Sequence, residues 1–139
     1  MKKFLTISML CGLTGCASIG SLPFMGPPAV TSPATPVFFQ PLSAALDAPA
    51  LSTISSVAKA ANNQPDARII VTGAADNVGS AQANKYLSEA RAQMVADALA
   101  ADGISSTRIR IRGVGTAPSP AAPGMPAQSA RRVLIQLQG

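Results

Sequence analysis

Apolar positions recur with two different periods along the chain, and the points where the period changes divide it into elements. Val37-Phe38-Phe39-Gln40 is a short apolar run of strand type. Asp47 then stands as a helix N-cap, with Pro49 tolerated in the first turn, and Leu51, Ile54, Ala58 and Ala61 recur at helical spacing. Asn62-Asn63-Gln64-Pro65-Asp66 ends that helix. From Arg68 to Thr72, Ile69, Ile70 and Val71 stand in succession, the β-branched density of a central strand covered on both faces, and Gly73 closes it. Ser88 predicts the N-cap of a longer helix, with Leu87 before it as a hydrophobic staple and Ala92, Val95 and Leu99 on one face. Asp102-Gly103 is its stop. Arg108-Ile109-Arg110-Ile111-Arg112 alternates strictly, which sends Ile109 and Ile111 to the core face and the arginines to the other. Gly113 to Ala130, rich in Gly, Pro, Ala and Ser, predicts a long loop, and Val133, Ile135 and Leu137 alternate as a last strand. The order βαβαββ predicts an α+β fold: a two-layer sandwich in which two main helices lie on one face of a mixed sheet.

The first residues follow a different rule. Lys2 and Lys3 form a charged region, Phe4 to Leu13 a short apolar run, and Gly15 and Cys16 close it with small residues, the pattern of a secretory signal peptide over residues 1–15. The apolar run is roughly ten residues, whereas a membrane span needs about 20. Leu13-Thr14-Gly15-Cys16 resembles the lipobox of bacterial lipoproteins, which implies cleavage before Cys16 and lipidation of its thiol. Cys11 then leaves with the leader, and no structural disulfide remains. The same resemblance implies an anchored chain, not a spanning one, and Ala17, where an aspartate often marks inner-membrane retention, favours the outer membrane with the domain facing the periplasm. Residues 17–36 carry Pro23, Pro27, Pro28, Pro33 and Pro36 without an apolar period. They read as a tether that reaches on the order of 60 Å when extended at about 3.1 Å per residue; the alternative is a segment packed on the domain. Residues 37–139 are expected to form one domain around a single core.

Composition narrows the chemistry. The chain has 11 Lys+Arg, 6 Asp+Glu and no His; without Lys2 and Lys3 the charge is 9 against 6, a net +3. With no Trp and one Tyr it lacks the stacking aromatics of a nucleic-acid binder. Without His, and with no cysteine thiol left in the domain, the usual nitrogen and sulfur metal ligands are missing, so no metal site and no cofactor is expected. No His, no mature thiol and no close pair of acids supports nucleophilic or general-base chemistry, so the expectation is no catalytic residue and no enzyme.

Gly73-Ala74-Ala75-Asp76-Asn77-Val78-Gly79, followed by Asn84, Leu87-Ser88-Glu89-Ala90-Arg91-Ala92 and Val95, resembles the OmpA-like peptidoglycan-binding domain shared by the C-terminal half of OmpA, the peptidoglycan-associated lipoprotein and MotB. The resemblance runs from about Val37 to Leu137 and continues through Gly113, Gly115, Pro118 and Arg131-Arg132-Val133. It implies that Asp76 and Arg91 clasp the diaminopimelate of a peptidoglycan stem peptide, with Asn84 lining the same pocket and Arg131 and Arg132 as secondary members. The chemistry is complementary: a carboxylate takes the zwitterion's ammonium and a guanidinium fork takes its carboxylate. If Ser88 is the N-cap, Arg91 also sits beside the positive end of the helix dipole. The alternative is that Asp76 and Arg91 simply pair with each other. Alternation sends Arg131 and Arg132 to opposite faces, so that one of them approaches the site. The loop 113–130 is either a flap beside the pocket or a plain connector.

The sequence departs from the family where Ala74-Ala75 replaces the usual His-Thr before the aspartate, Ala130 replaces an Asn, and Gln40-Pro41 replaces an aspartate of the first strand. Two readings follow. The first is a non-catalytic lipoprotein that holds the outer membrane to peptidoglycan. The second is a structural lipoprotein of an envelope complex, whose degenerate domain contacts protein partners.

Overall fold

A computed structural model describes residues 32–118 and 124–139. The expected signal peptide, Cys16 and most of the expected tether lie outside the described residues. The elements run β1 (Thr35–Phe38), α1 (Ala48–Asn62), β2 (Arg68–Ala75), α2 (Ala81–Ala101), β3 (Ile109–Thr116) and β4 (Arg132–Gln138), with single 3-10 turns at Ser106–Arg108 and Gln128–Ala130. The predicted order of strands and helices is therefore observed. β1 begins inside the stretch assigned to the tether, and Ser32 N donates to Leu137 O at 3.0 Å ahead of it, so the domain starts before residue 37.

The strands form one mixed sheet in the order β1-β4-β2-β3. β2 and β3 are parallel, as a helical crossover between them requires. β4 runs antiparallel to both β1 and β2, with Val133 opposite Val37 and Ile135 opposite Val71.

One main core holds the layers together. Ile54, Val57, Ala58 and Ala61 of α1 and Ala92, Val95 and Leu99 of α2 pack on Val37, Ile69, Val71, Val133, Ile135 and Leu137 of the sheet. Every strand residue in that set belongs to one side of the pleat, so both helices cover the same face. The other side is open, with Phe38 47% and Val114 48% exposed. β2 is thus covered on one face and not on both: Ile70 and Thr72 point to the open side and remain half-buried.

The helix starts show what the sequence pattern does and does not carry. Asp47 caps α1 as expected, its Oδ1 accepting from Ala50 N at 2.9 Å. Leu51, expected on the core face, is 48% exposed, because the buried stripe is set by Ile54, Val57, Ala58 and Ala61. α2 begins two turns before the expected Ser88: Ser80 is the N-cap and accepts from Ala83 N at 3.2 Å. The first turns, Ala81 to Leu87, have helix propensity without an apolar stripe, so periodicity alone passes over them.

Ser88 lies buried inside α2, where its hydroxyl donates to Lys85 O at 2.7 Å and accepts from Gly115 N at 2.8 Å. β3 also extends through Gly113 and Gly115, which the sequence pattern assigns to a loop. α2 crosses this part of the sheet at backbone distance. A Cβ on Gly73 would stand 1.9 Å from Ser88 O, and one on Gly113 would stand 2.8 Å from Glu89 N. Ile111, expected in the core, is 43% exposed because β3 is the sheet edge.

Candidate functional site

Past Gly73 the register of β2 against β3 shifts, and the strand ends by delivering Asp76 into the turn that leads to α2. Gly79, at φ +94°, reverses the chain in a conformation that glycine adopts without steric cost. Asp76 is 6% exposed. Its Oδ2 accepts from Arg131 Nη1 at 3.2 Å, and its Oδ1 accepts from Val78 N at 3.4 Å. Asn84, on the first turn of α2, donates through Nδ2 to Asp76 O at 3.0 Å and to Thr116 Oγ1 at 3.1 Å, which locks the turn to the end of β3. Asn84 on the site is thus placed by a helix turn that periodicity did not find.

Arg91 has no exposed surface. Its Nε donates to Ser43 O at 2.8 Å, Nη1 to Ala74 O at 2.9 Å and Nη2 to Gln40 O at 3.0 Å. The guanidinium carbon lies 5.3 Å from the centre of the Phe39 ring, within cation–π range. Burial pushes the Arg91 pKa below its usual value, the charge of Asp76 opposes that shift, and the charge of Arg131 adds to it. Two expectations are corrected here. Arg91 lies well inside α2, so it gains nothing from the helix N-terminus, and its fork braces three backbone carbonyls instead of facing an open pocket.

The cation that meets Asp76 is Arg131. It is 9% exposed and also donates through Nε to Phe39 O at 3.3 Å. The anticipated Asp76–Arg91 pair is thus an Asp76–Arg131 pair, with Arg91 close behind it. Arg132 goes to the opposite side of β4, is half-buried, and donates through Nη1 to Ser129 O. It is the one member of the expected set that does not join the cluster.

Sequence reasoning missed the segment Phe39 to Ser43, which supplies three of the four carbonyls that Arg91 and Arg131 hold; carbonyls belong to every residue type and leave no sequence signal. It also missed Thr116. Ala74 and Ala130, two of the departures from the family pattern, pack with Ala117 and Ala127 in a small apolar cluster of their own. Among the described residues no group of acids or cysteines could hold a metal ion, and no helix is long and apolar enough to cross a membrane.

A family model described as the OmpA family matches residues 38–133. The chain is 36% identical over 81 residues to the probable lipoprotein YiaD of Escherichia coli (strain K12), a match that covers 58% of this chain and 37% of that protein. It is 50% identical over 52 residues to outer membrane protein A of Serratia marcescens, covering 37% of this chain and 14% of the relative. The chain therefore aligns with well under half the length of these relatives. Among solved structures, the OmpA-like domain of FopA1 from Francisella tularensis superposes with a TM-score of 0.69 at 22% identity, over 80% of this chain and 79% of the other. The peptidoglycan-associated lipoprotein from Burkholderia pseudomallei gives a TM-score of 0.67 at 23% identity, over 74% and 89%. The C-terminal domain of Helicobacter pylori MotB gives 0.63 at 23% identity, over 76% and 84%. At these identities the structures speak for the fold, and the family match speaks for descent. With its βαβαββ order, its mixed sheet and its matched residues 38–133, the chain belongs to the OmpA family.

Proposed function

We propose that this chain is a non-catalytic lipoprotein that ties the outer membrane to the cell wall by receiving the free end of diaminopimelate at the Asp76–Arg131 pair. The observation that supports it is the convergence of one carboxylate and two guanidinium groups at the end of β2, with a neutral amide beside them. Without ligand, Asp76 and Arg131 satisfy each other. A zwitterion entering between them exchanges that pair for two: its ammonium on Asp76 and its carboxylate on Arg131. Hydrogen bonds to charged groups contribute about 1.5–3 kcal/mol each. Arg91 braces β2 just before Asp76 and the segment after β1 on which Arg131 also rests, and its buried charge favours the ligand's carboxylate over its ammonium on that side. Lipid on Cys16, after removal of residues 1–15, would supply the attachment to the membrane, with the domain in the periplasm.

Co-sedimentation of residues 17–139, which contain every described strand and helix and the core they build, with isolated peptidoglycan tests this reading. The wild type should pellet with the wall, and Asp76→Asn should reduce the pelleted fraction at least tenfold. A wild type left in the supernatant would end the proposal. Titration with a diaminopimelate-containing stem peptide, against the same peptide with lysine in that place, separates recognition of the carboxylate from general charge attraction.

A second reading draws on the alanine cluster. Ala74, Ala117, Ala127 and Ala130 put methyl groups where the family pattern carries polar side chains at two of those positions. These methyl groups are buried, so they remove polarity beside the wall site and add no contact surface; a domain whose wall site has weakened in this way predicts a wild type that ignores the wall but co-purifies with a defined envelope complex.

A further inference from the structure

The open face of the sheet has a charge pattern that the wall-binding site does not use. Alternation along β2 sends Arg68 and Ile70 to the side opposite the helices. The register places Arg110 of β3 beside Ile70 and Arg112 beside Thr72, on that same side. On β4 the open face carries Arg132, paired with Phe38 of β1. Four arginines from three strands thus share one face, interleaved with Phe38 and Val114, which are 47% and 48% exposed.

No acid accompanies them. The chain's acidic residues are Asp47, Asp66, Asp76, Glu89, Asp97 and Asp102. All six lie on the two helices, at their caps or in the connecting turns, and none lies within a strand. The other arginines of the domain are held: Arg91 by three carbonyls, Arg108 by Ala61, Gln64 and Ala67 carbonyls, and Arg131 by Asp76. Arg68, Arg110 and Arg112 are exposed, and among the described residues no carboxylate pairs with them.

We propose that this face docks on an anionic phospholipid surface, with the arginines on headgroup phosphates and Phe38 and Val114 at the edge of the acyl layer. Flat cationic surfaces with scattered apolar side chains suit a membrane interface, because arginine stems lie along the apolar boundary while their heads stay in the polar layer. The charge asymmetry selects the phosphate layer over a neutral surface, and the attraction acts within about a Debye length, roughly 8–10 Å at physiological salt. The inference rests on charge and exposure and needs the membrane-anchoring reading only to bring the domain close to lipid. It also gives the two sides of the sheet end different tasks: the Asp76–Arg131 pair toward the wall, the open face toward the membrane.

Sedimentation of residues 17–139, which carry no lipid, with vesicles of pure phosphatidylglycerol and of pure phosphatidylcholine tests it. The protein should pellet with the anionic vesicles and not with the neutral ones, and binding should fall steeply as salt is raised. Each basic residue near an anionic surface contributes about fivefold in binding, so the R110E/R112E double variant should lose at least about twentyfold. Its thermal melt and its sedimentation with peptidoglycan should be unchanged, because neither side chain touches the core or Asp76. No binding to anionic vesicles overturns the proposal. Binding that survives R110E/R112E also overturns it, leaving the arginines to guard the sheet edge against pairing. If the double variant instead loses the wall while vesicle binding stays the same, the face belongs to an anionic cell-wall surface and the membrane assignment is wrong. Loss of wall binding in Asp76→Asn alone bears on the other proposal and leaves this one standing.

Discussion

A guanidinium without exposed surface must find its partners inside the protein, and Arg91 finds three backbone carbonyls from segments 17, 48 and 51 residues away in sequence. Arg91→Ala removes all three donors and leaves a cavity, so a loss of about 3–5 kcal/mol is expected in urea unfolding. Arg91→Ala therefore costs the fold as well as the site. Arg91→Lys should recover only part of that loss, because an ammonium cannot span three diverging carbonyls in one plane. Asp76→Ala strands Arg131 in a nearly dry place, and its unfolding free energy should fall by about 3 kcal/mol or more. Asp76, Asn84, Arg91 and Arg131 were all legible as a group, since their spacing matches the family pattern. Which of them pair was not legible. Alternation says that Arg131 and Arg132 face opposite ways but not which one turns toward Asp76, and a bond to a carbonyl leaves no mark on the identity of the residue that offers it.

Elements were read well where burial sets the period and poorly where it does not. Ile54, Ala58 and Ala61 on α1, Ile69 and Val71 on β2, and Val133, Ile135 and Leu137 on β4 all enter the core as the pattern says. The early turns of α2 lie above the sheet end with Asn84 and Ser88 as their buried residues, both polar, so no apolar stripe announces them. The displaced helix start has a measurable counterpart. Ser80→Ala should cost about 1 kcal/mol as the loss of a cap, whereas Ser88→Ala leaves the buried Gly115 N–H without an acceptor and should cost about 1–3 kcal/mol. Were Ser88 merely a cap, the two substitutions would have the same size in a chemical-denaturation series. Gly73→Ala makes a sharper test, because the new methyl would stand 1.9 Å from Ser88 O and α2 would have to lift from β2. A loss of about 3 kcal/mol is expected, with circular dichroism showing whether the helix survives.

At the scale of the molecule, acids gather on the helical layer and free arginines on the open side of the sheet, so a modest net charge conceals a strong division between faces. The order β1-β4-β2-β3 has a further consequence for how the chain is made. β4 follows the other three described strands in sequence yet stands between β1 and β2, so the middle of the sheet remains empty until residues 132–138 arrive. A nascent chain that stops before Arg132 holds a lone strand and a parallel pair with no strand to join them. The sheet therefore closes only when residues 132–138 are in place, and a chain cut before Arg132 should lose its cooperative thermal melt.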